Sequence, residues 1–329
     1  PAKLGPFGGS SKIRDRAAVG RLVTVSFGTA WSGCTMNNVP EESRQPGPEK
    51  GRPSAPSVEE FLRKVGTLPS LPSLYLQLTE ELASGDMSPS RVSHIIAQDL
   101  GLTTKILQIA NSAYFGLSRQ ISNVERAVLL LGLETIRALA LSASVFAMFE
   151  PRKLVGLAVA GLWRHSMNCS GMARRLGTHL RLKRDSVDHL TTAAFLHDVG
   201  KLLMADQQPK NYAVVTSKIE FGELAPFQAE REVFGFDHAE VAAYLFDRWQ
   251  LPSPVIEGVR WHHDAAAIEQ TNHTLAAIIH VLDFLEHQRN DELGTLHLTL
   301  DSRFLETLGG GEELLDEWRT IVEEEPFSR

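Results

Sequence analysis

The residues best suited to chemistry are histidines and aspartates in the second half of the chain, centred on the adjacent pair His197 and Asp198. The candidate metal ligands in this set are His165, His197, Asp198, His238, His262, His263 and Asp283. Neutral imidazole and carboxylate groups are ligands that suit iron, manganese and zinc. If the fold brings these side chains together, they predict a site for one or two divalent ions of iron, manganese or zinc.

The spacing around the central pair suggests how such a site would work. On a single helix over residues 185–204, His197 and Asp198 would lie about 100° apart, so both could reach one groove. Lys201 follows His197 by four residues and is expected on the same face, where its ammonium would meet a phosphate or a developing negative charge. Asp198 is a candidate bridge between two ions, since paired metals activate water for attack on phosphorus. Asp198 and Lys201 are therefore the candidate catalytic residues.

Each candidate also has an ordinary structural interpretation. A single histidine on a helix is more often a surface residue or a hydrogen-bonded core residue than a ligand. Asp198 would then be a buried, hydrogen-bonded carboxylate, and Lys201 a side chain whose ammonium reaches the solvent. His280 lies one turn before Asp283 and is expected to pack in the core. No role is assigned to His94, His179, His189, His273, His287 and His297.

The elements that must position these residues are predicted to be helices. From Leu74 onward, apolar residues recur every third or fourth position, which is the spacing of one helix face. Gly132 separates two expected helices over residues 124–131 and 133–149, and the second should be buried because it is apolar almost all round. The helices expected farther along the chain span residues 157–176, 185–204, 226–234, 238–249, 252–262, 273–288 and 311–325. The sequence therefore predicts an all-α fold.

Composition shifts divide the chain into four expected parts. These are a disordered extension over 1–55, a helical lobe over 56–150, a second helical lobe with the candidate site over 151–290, and a C-terminal segment with an acidic helix over 291–329. The extension lacks a sustained period and ends in a stretch rich in proline, serine and glutamate. Met36 is a candidate natural start, which would make residues 1–35 an upstream addition.

Composition also limits which kinds of partner and which cellular compartment are expected. The net charge of −7 does not favour nucleic acid as a partner, which weakens the idea that the segment Gly101–Ala113 reads DNA. Cys34 and Cys169 are too few for a disulfide framework, so a reducing compartment is expected. The most membrane-like run, Ala138–Phe149, is well short of the roughly 20 residues that span a bilayer. The prediction is a cytoplasmic protein without a membrane partner.

Nine short motifs along the chain together indicate a family resemblance. The segment Phe195–Leu202 resembles the signature of the HD superfamily of metal-dependent phosphohydrolases. The further motifs are Leu68–Pro72, Gln98–Thr103, Ala110–Gly116, Ala127–Gly132, Leu162–Ser166, Gly235–Val241 and Trp249–Pro252, with Trp261–His263 beyond them. Together they resemble the HDOD group, the HD-related output domain of bacterial signalling proteins, over about residues 60 to 290.

The resemblance implies an N-terminal helical lobe packed on an HD-like helical bundle, and a role in bacterial signal transduction through other signalling proteins. HDOD proteins are generally regarded as non-catalytic, commonly because their HD ligand set has decayed. In this chain, residues matching the full HD quartet are present: His165, His197, Asp198 and Asp283. The residues matching the second-metal positions of the related HD-GYP phosphodiesterases are His238, His262 and His263.

Two departures separate this chain from the HD-GYP enzymes. Residues 264–268 carry none of the Gly-Tyr-Pro signature, and Gly161 stands where some of those enzymes have an additional carboxylate ligand. A cyclic di-GMP phosphodiesterase is therefore not expected. The preferred prediction is a regulatory interaction module with an HD-like metal site. The alternative is a metal-dependent phosphohydrolase acting on a nucleotide or another phosphate-bearing ligand.

Overall fold

A computed structural model of the chain describes residues 57–64, 69–83, 88–111, 120–150, 154, 157–222, 224–271, 274–290 and 299–323. Every regular element within those ranges is a helix, so the predicted all-α class is confirmed. The expected disordered extension over 1–55 lies outside the described residues. None of the helices in the described ranges combines the length and apolarity that crossing a bilayer requires.

The first lobe is built around one buried helix. Its helices are α1 (Val58–Lys64), α2 (Ser73–Ala83), α3 (Pro89–Ala97), α4 (Leu100–Ala110), α5 (Val124–Leu131) and α6 (Leu133–Ala147). Helices α2 to α5 all pack against α6, whose Ile136, Leu139 and Leu141 are buried. Gly132 separates α5 from α6 at φ 88°, a left-handed backbone that favours glycine. The predicted break and the predicted burial of the second helix are both confirmed.

The second lobe contains the longer helices. Its elements are α7 (Val159–His179), α8 (Arg184–Leu196), α9 (Val199–Gln207), α10 (Pro209–Phe221), α11 (Pro226–Phe234), α12 (His238–Arg248), α13 (Ser253–Arg260), α14 (Ala265–Thr271), α15 (Thr274–Asn290), α16 (Ser302–Thr307) and α17 (Glu312–Glu323). Helices α7 and α8 pack side by side, α13 and α15 cover them, and α9 lies on α12. Helices α16 and α17 pack on α15 and α7, so the described C-terminal residues extend this lobe.

The expected single helix over residues 185–204 is wrong at its centre. Helix α8 ends at Leu196 and α9 begins at Val199, so His197 and Asp198 form a turn between two helices. The turn redirects the chain so that α9 can lie on α12, where Gly200 meets the backbone of His238. A residue with a side chain has no room there.

The two lobes join through α6 and α8. A second junction involves the start of the described chain, because α1 packs on α12 of the second lobe and the Phe61 ring contacts Phe234 and Phe236. The Trp249 indole also donates a 2.9 Å hydrogen bond to the Pro69 carbonyl oxygen. The segment before α2 therefore lies against the second lobe.

Replacing Gly200 with alanine is expected to destabilise the fold. A Cβ there would lie 2.0 Å from the carbonyl oxygen of His238, so α9 and α12 must move apart, at a cost of at least about 1–3 kcal/mol. Gly161→Ala in α7 is the matched control, since its nearest neighbour would be Ala158 Cβ at 3.6 Å, an ordinary contact. Urea unfolding of both variants measures the difference. Equal free energies of unfolding would contradict the close approach at Gly200.

Candidate metal centre

One end of the cluster joins three helices of the second lobe. His165 comes from α7, His197 from the turn after α8 and Asp283 from α15, and all three are buried. His165 Nε2 lies 3.2 Å from His197 Nε2 and 3.1 Å from Asp283 Oδ1. His197 Nε2 and Asp283 Oδ1 are 3.6 Å apart. These three atoms are close enough together to bind one ion.

The other end is formed by the start of α12 and the turn after α13. His238, His262 and His263 each offer one nitrogen, and these nitrogens lie within 4.8 Å of one another. Asp198 lies between the two ends, because its Oδ1 is 3.0 Å from His238 Nε2 and 3.5 Å from His197 Nε2. A carboxylate in this position can bridge two ions. The structure thus brings together all seven ligand candidates named from the sequence.

Hydrogen-bond acceptors behind the rings orient four of the five histidines. The acceptors for Nδ1 are the Glu286 carboxylate for His165, the Ala194 carbonyl at 2.8 Å for His197, the Glu230 carboxylate at 2.6 Å for His238 and the Val259 carbonyl at 2.6 Å for His262. In each neutral ring the proton therefore belongs on Nδ1, and the Nε2 lone pair faces the centre. His263 differs, because its buried Nδ1 has no hydrogen-bond partner and its ring stacks on Phe227.

This arrangement of donors fits a cation. With the proton of each ring on Nδ1, the facing Nε2 atoms of His165 and His197 are two lone pairs 3.2 Å apart, which repel each other unless a positive charge lies between them. The Nε2 atom of His262 is buried and makes no hydrogen bond. A buried polar atom left in this state costs free energy. A metal ion at each end of the cluster would satisfy these atoms.

In the absence of metal, protons supply part of the missing positive charge. Burial alone lowers the pKa of His238, but the Glu230 and Asp198 carboxylates outweigh it and raise that pKa to about 9. Burial lowers the pKa of His262 and of His263 well below the ordinary value, so both rings are neutral. The neutral rings are already in the form that binds a metal, whereas an ion bound by His238 must displace a proton.

Lys201 contacts the aspartate of the central pair. Its Nζ lies 2.7 Å from Asp198 Oδ1. A continuous helix would have placed Lys201 on the same face as His197, but the turn after α8 places it one helical turn from Asp198 instead. Burial raises the pKa of Asp198, but Lys201 and the neighbouring histidines outweigh this and hold it well below its usual range. Burial lowers the pKa of Lys201, yet Asp198 outweighs burial and the pKa is raised. The two groups form a buried ion pair.

Three residues that contact the candidate ligands from behind were not identified from the sequence. Glu230 is completely buried, and its position in α11, a different helix from that of His238, gives no spacing signal. Glu286 lies one turn after Asp283 on α15, and this three-residue spacing on one helix face is a signal from which its role could have been predicted. His287, to which the sequence analysis gave no role, has its Nδ1 2.9 Å from Asp283 Oδ1.

His280 supports the centre from the core. It is 4% exposed, as expected for a core residue, and its ring stacks on Phe304. Its Nδ1 lies 2.8 Å from the carbonyl oxygen of His262, so the imidazole donates a hydrogen bond to the backbone of the turn. This contact helps to hold the His262 ring in place.

Glu230→Gln is expected to weaken metal binding at the His238 end by about 10- to 100-fold, the usual effect of losing a carboxylate behind a ligating histidine. Glu232→Gln is the matched control, since Glu232 lies on the same helix and forms an exposed pair with Lys218. Competition with a chelator measures the affinity of each variant for zinc. Unchanged affinity in Glu230→Gln would show that the carboxylate does not orient the ring.

Several proteins of known sequence or structure resemble this chain. An uncharacterized protein of Treponema pallidum (strain Nichols) is 25% identical over 206 residues, which cover 61% of this chain and 38% of that protein. The chain thus spans well under half the length of that relative.

Solved structures support the same fold. An HDOD domain protein of unknown function from Geobacter sulfurreducens matches with a TM-score of 0.61 and 25% identity, over 83% of this chain and 97% of that one. A protein provisionally named as a metal-dependent phosphohydrolase, from Shewanella amazonensis SB2B, has a TM-score of 0.56 and 20% identity over 80% and 96% of the two chains. A protein provisionally named for signal transduction, from Marinobacter aquaeolei VT8, has a TM-score of 0.59 and 19% identity over 79% and 58%.

The family assignment follows from a match that spans both lobes. The model of the HDOD domain matches residues 68–265, more than half of the chain, from the segment before α2 to the start of α14. The matched range contains every candidate ligand except Asp283, which follows it on α15. The chain therefore belongs to the HDOD domain family.

Proposed function

We propose that this chain is a signal-transduction module of the HDOD type whose second lobe binds one or two divalent metal ions. The ligands are His165, His197, Asp198, His238, His262, His263 and Asp283. The observation that carries the proposal is the set of buried Nε2 atoms that face one another while each Nδ1 of four rings has its own acceptor. Such a layer of acceptors behind the ligands is typical of metal sites.

The burial of the centre favours a regulatory role over catalysis. His197, His238 and His262 are completely buried and Asp198 is 1% exposed, while His165 is 8% exposed and His263 is partly buried. Catalytic metal sites keep an accessible coordination position, whereas structural sites are closed. The bound ion would then stabilise the second lobe or make the protein a sensor of the metal concentration. The partners we propose are other signalling proteins in the cytoplasm.

Metal should co-purify with the protein and stabilise it. At an ion concentration about 100 times the dissociation constant, binding adds about 2.7 kcal/mol to the free energy of unfolding. Chelation should therefore lower the melting temperature of the wild type, while His197→Ala should carry less metal and respond little. His179→Ala, an exposed histidine at the end of α7, is the matched control and should behave as wild type. A wild-type protein that neither holds metal nor responds to added metal would contradict the proposal.

A second candidate function, metal-dependent phosphohydrolysis, is favoured by Lys201. Its ammonium lies against Asp198 between the two ends of the cluster, and it is 9% exposed, more than any of the aspartate ligands. It could hold a phosphate oxygen beside the ligands. Divalent ions bound there would supply Lewis acidity and polarise a water molecule.

Hydrolysis assays distinguish the two functions. The metal-loaded wild type is expected to show no turnover of cyclic dinucleotides, nucleoside triphosphates or a generic phosphate ester, because the ligand atoms are buried. Turnover that is lost in Lys201→Met but retained in Lys218→Met, which alters an exposed lysine, would overturn the non-catalytic proposal in favour of the second candidate. Metal content of both variants must match the wild type, so that loss of the ion does not imitate loss of the ammonium.

A further inference from the structure

A cysteine lies inside the cluster at a position that the ligand set above does not use. Cys169 follows His165 by four residues on α7, so the two side chains occupy one face of the helix. The residue is 1% exposed, and its Sγ lies 3.6 Å from His165 Nε2. Two ligands at this spacing on a helix are a common way to hold a metal ion.

The distances at this end of the cluster match a tetrahedron of ligands. Typical zinc bond lengths place two nitrogen or oxygen ligands about 3.3 Å apart, and nitrogen and sulfur about 3.6 Å apart. His165 Nε2 is 3.2 Å from His197 Nε2, 3.1 Å from Asp283 Oδ1 and 3.6 Å from Cys169 Sγ. The four ligand atoms all lie within 4.8 Å of one another.

A second observation at the same point indicates a ligand. Asp283 is 3% exposed, and its Oδ1 makes no hydrogen bond of normal geometry, although His165 Nε2 and His287 Nδ1 lie 3.1 and 2.9 Å from it. The His165 ring holds its Nδ1 toward Glu286, so that in the neutral ring Nε2 presents a lone pair to that oxygen and to the sulfur. Nitrogen, oxygen and sulfur atoms that converge on one buried point favour a positive charge there, which a metal ion can supply.

We propose that Cys169 binds the ion at this end as a thiolate, together with His165, His197 and Asp283. The inference rests on the proposed function, since it assumes that the cluster binds metal. On binding, the thiol proton leaves to the solvent and the sulfur coordinates the ion. Asp198, whose Oδ1 is nearer to His238 than to His197, is then available to the ion at the other end.

A thiolate ligand narrows the choice of metal. Soft sulfur ligands favour zinc and iron over magnesium and manganese, which suit carboxylate and water. The end of the cluster that contains Cys169 should therefore select zinc or iron(II). The other end, with three imidazoles and a carboxylate, lacks sulfur and should be less selective.

Cobalt(II) tests the inference, because a cobalt–thiolate bond gives a charge-transfer absorption in the near ultraviolet that nitrogen and oxygen ligands do not. The apoprotein is titrated with cobalt while bound metal is quantified independently. The band should appear with the first equivalent in the wild type and be absent in Cys169→Ser, with zinc affinity reduced at least tenfold and manganese affinity little changed. Cys34→Ser, which removes the other of the two cysteines, is the matched control and should keep the band.

The outcomes separate this inference from the proposed function. If the wild type binds cobalt without the band, Cys169 is not a ligand and the inference is overturned, while the metal site remains. If the wild type binds no metal, both this inference and the proposed function are overturned. X-ray absorption of the zinc-loaded wild type decides the question even if Cys169→Ser does not fold, because it must show a sulfur neighbour at about 2.3 Å.

Discussion

The arrangement of the second lobe depends on one electrostatic constraint, the convergence of buried lone pairs on a common centre. The Nε2 atoms of His165 and His197 face each other at 3.2 Å, as do those of His238 and His263. Such pairs are unfavourable in a nonpolar interior unless a proton or a metal ion lies between them. The raised pKa of His238 is the response of the metal-free protein, in which protonation supplies the positive charge.

Holding the rings in this unfavourable arrangement requires support from several helices. Glu230 of α11 accepts hydrogen bonds from both the backbone amide and the Nδ1 of His238, and backbone carbonyls support two other rings. Gly200 lets α9 approach the first residue of α12 closely. A buried carboxylate such as Glu230 is costly unless it is fully hydrogen-bonded, so these contacts make sense as the supports of a binding site rather than as sources of stability.

The sequence predicted the type of the fold and the histidines and aspartates that the structure brings together, because both leave local signals. The spacing of apolar residues indicated the helices, and Gly132 indicated a break between two of them. The histidines and aspartates were candidate ligands because of their residue types. The turn at His197 was not predictable, since the one poor helix former in residues 185–204, Gly200, lies inside α9 and not at the break. Glu230 was missed for a related reason, because its pairing with the His238 ring depends on how α11 and α12 pack and not on a local repeat.

An ion at this centre would connect parts of the chain that are far apart in sequence. Its ligands come from α7, α12 and α15 and from the turns that follow α8 and α13, so the free energy of binding acts on the packing of all five segments at once. Helix α8 also contacts α6, the central helix of the first lobe. A regulatory role then needs only a partner that binds the metal-loaded and metal-free forms with different affinities, because coupling between two ligands requires such a difference and is reciprocal. The contact between α6 and α8 is one direct structural link through which ion binding in the second lobe would affect the first, and the packing of α1 on α12, which carries His238, is another.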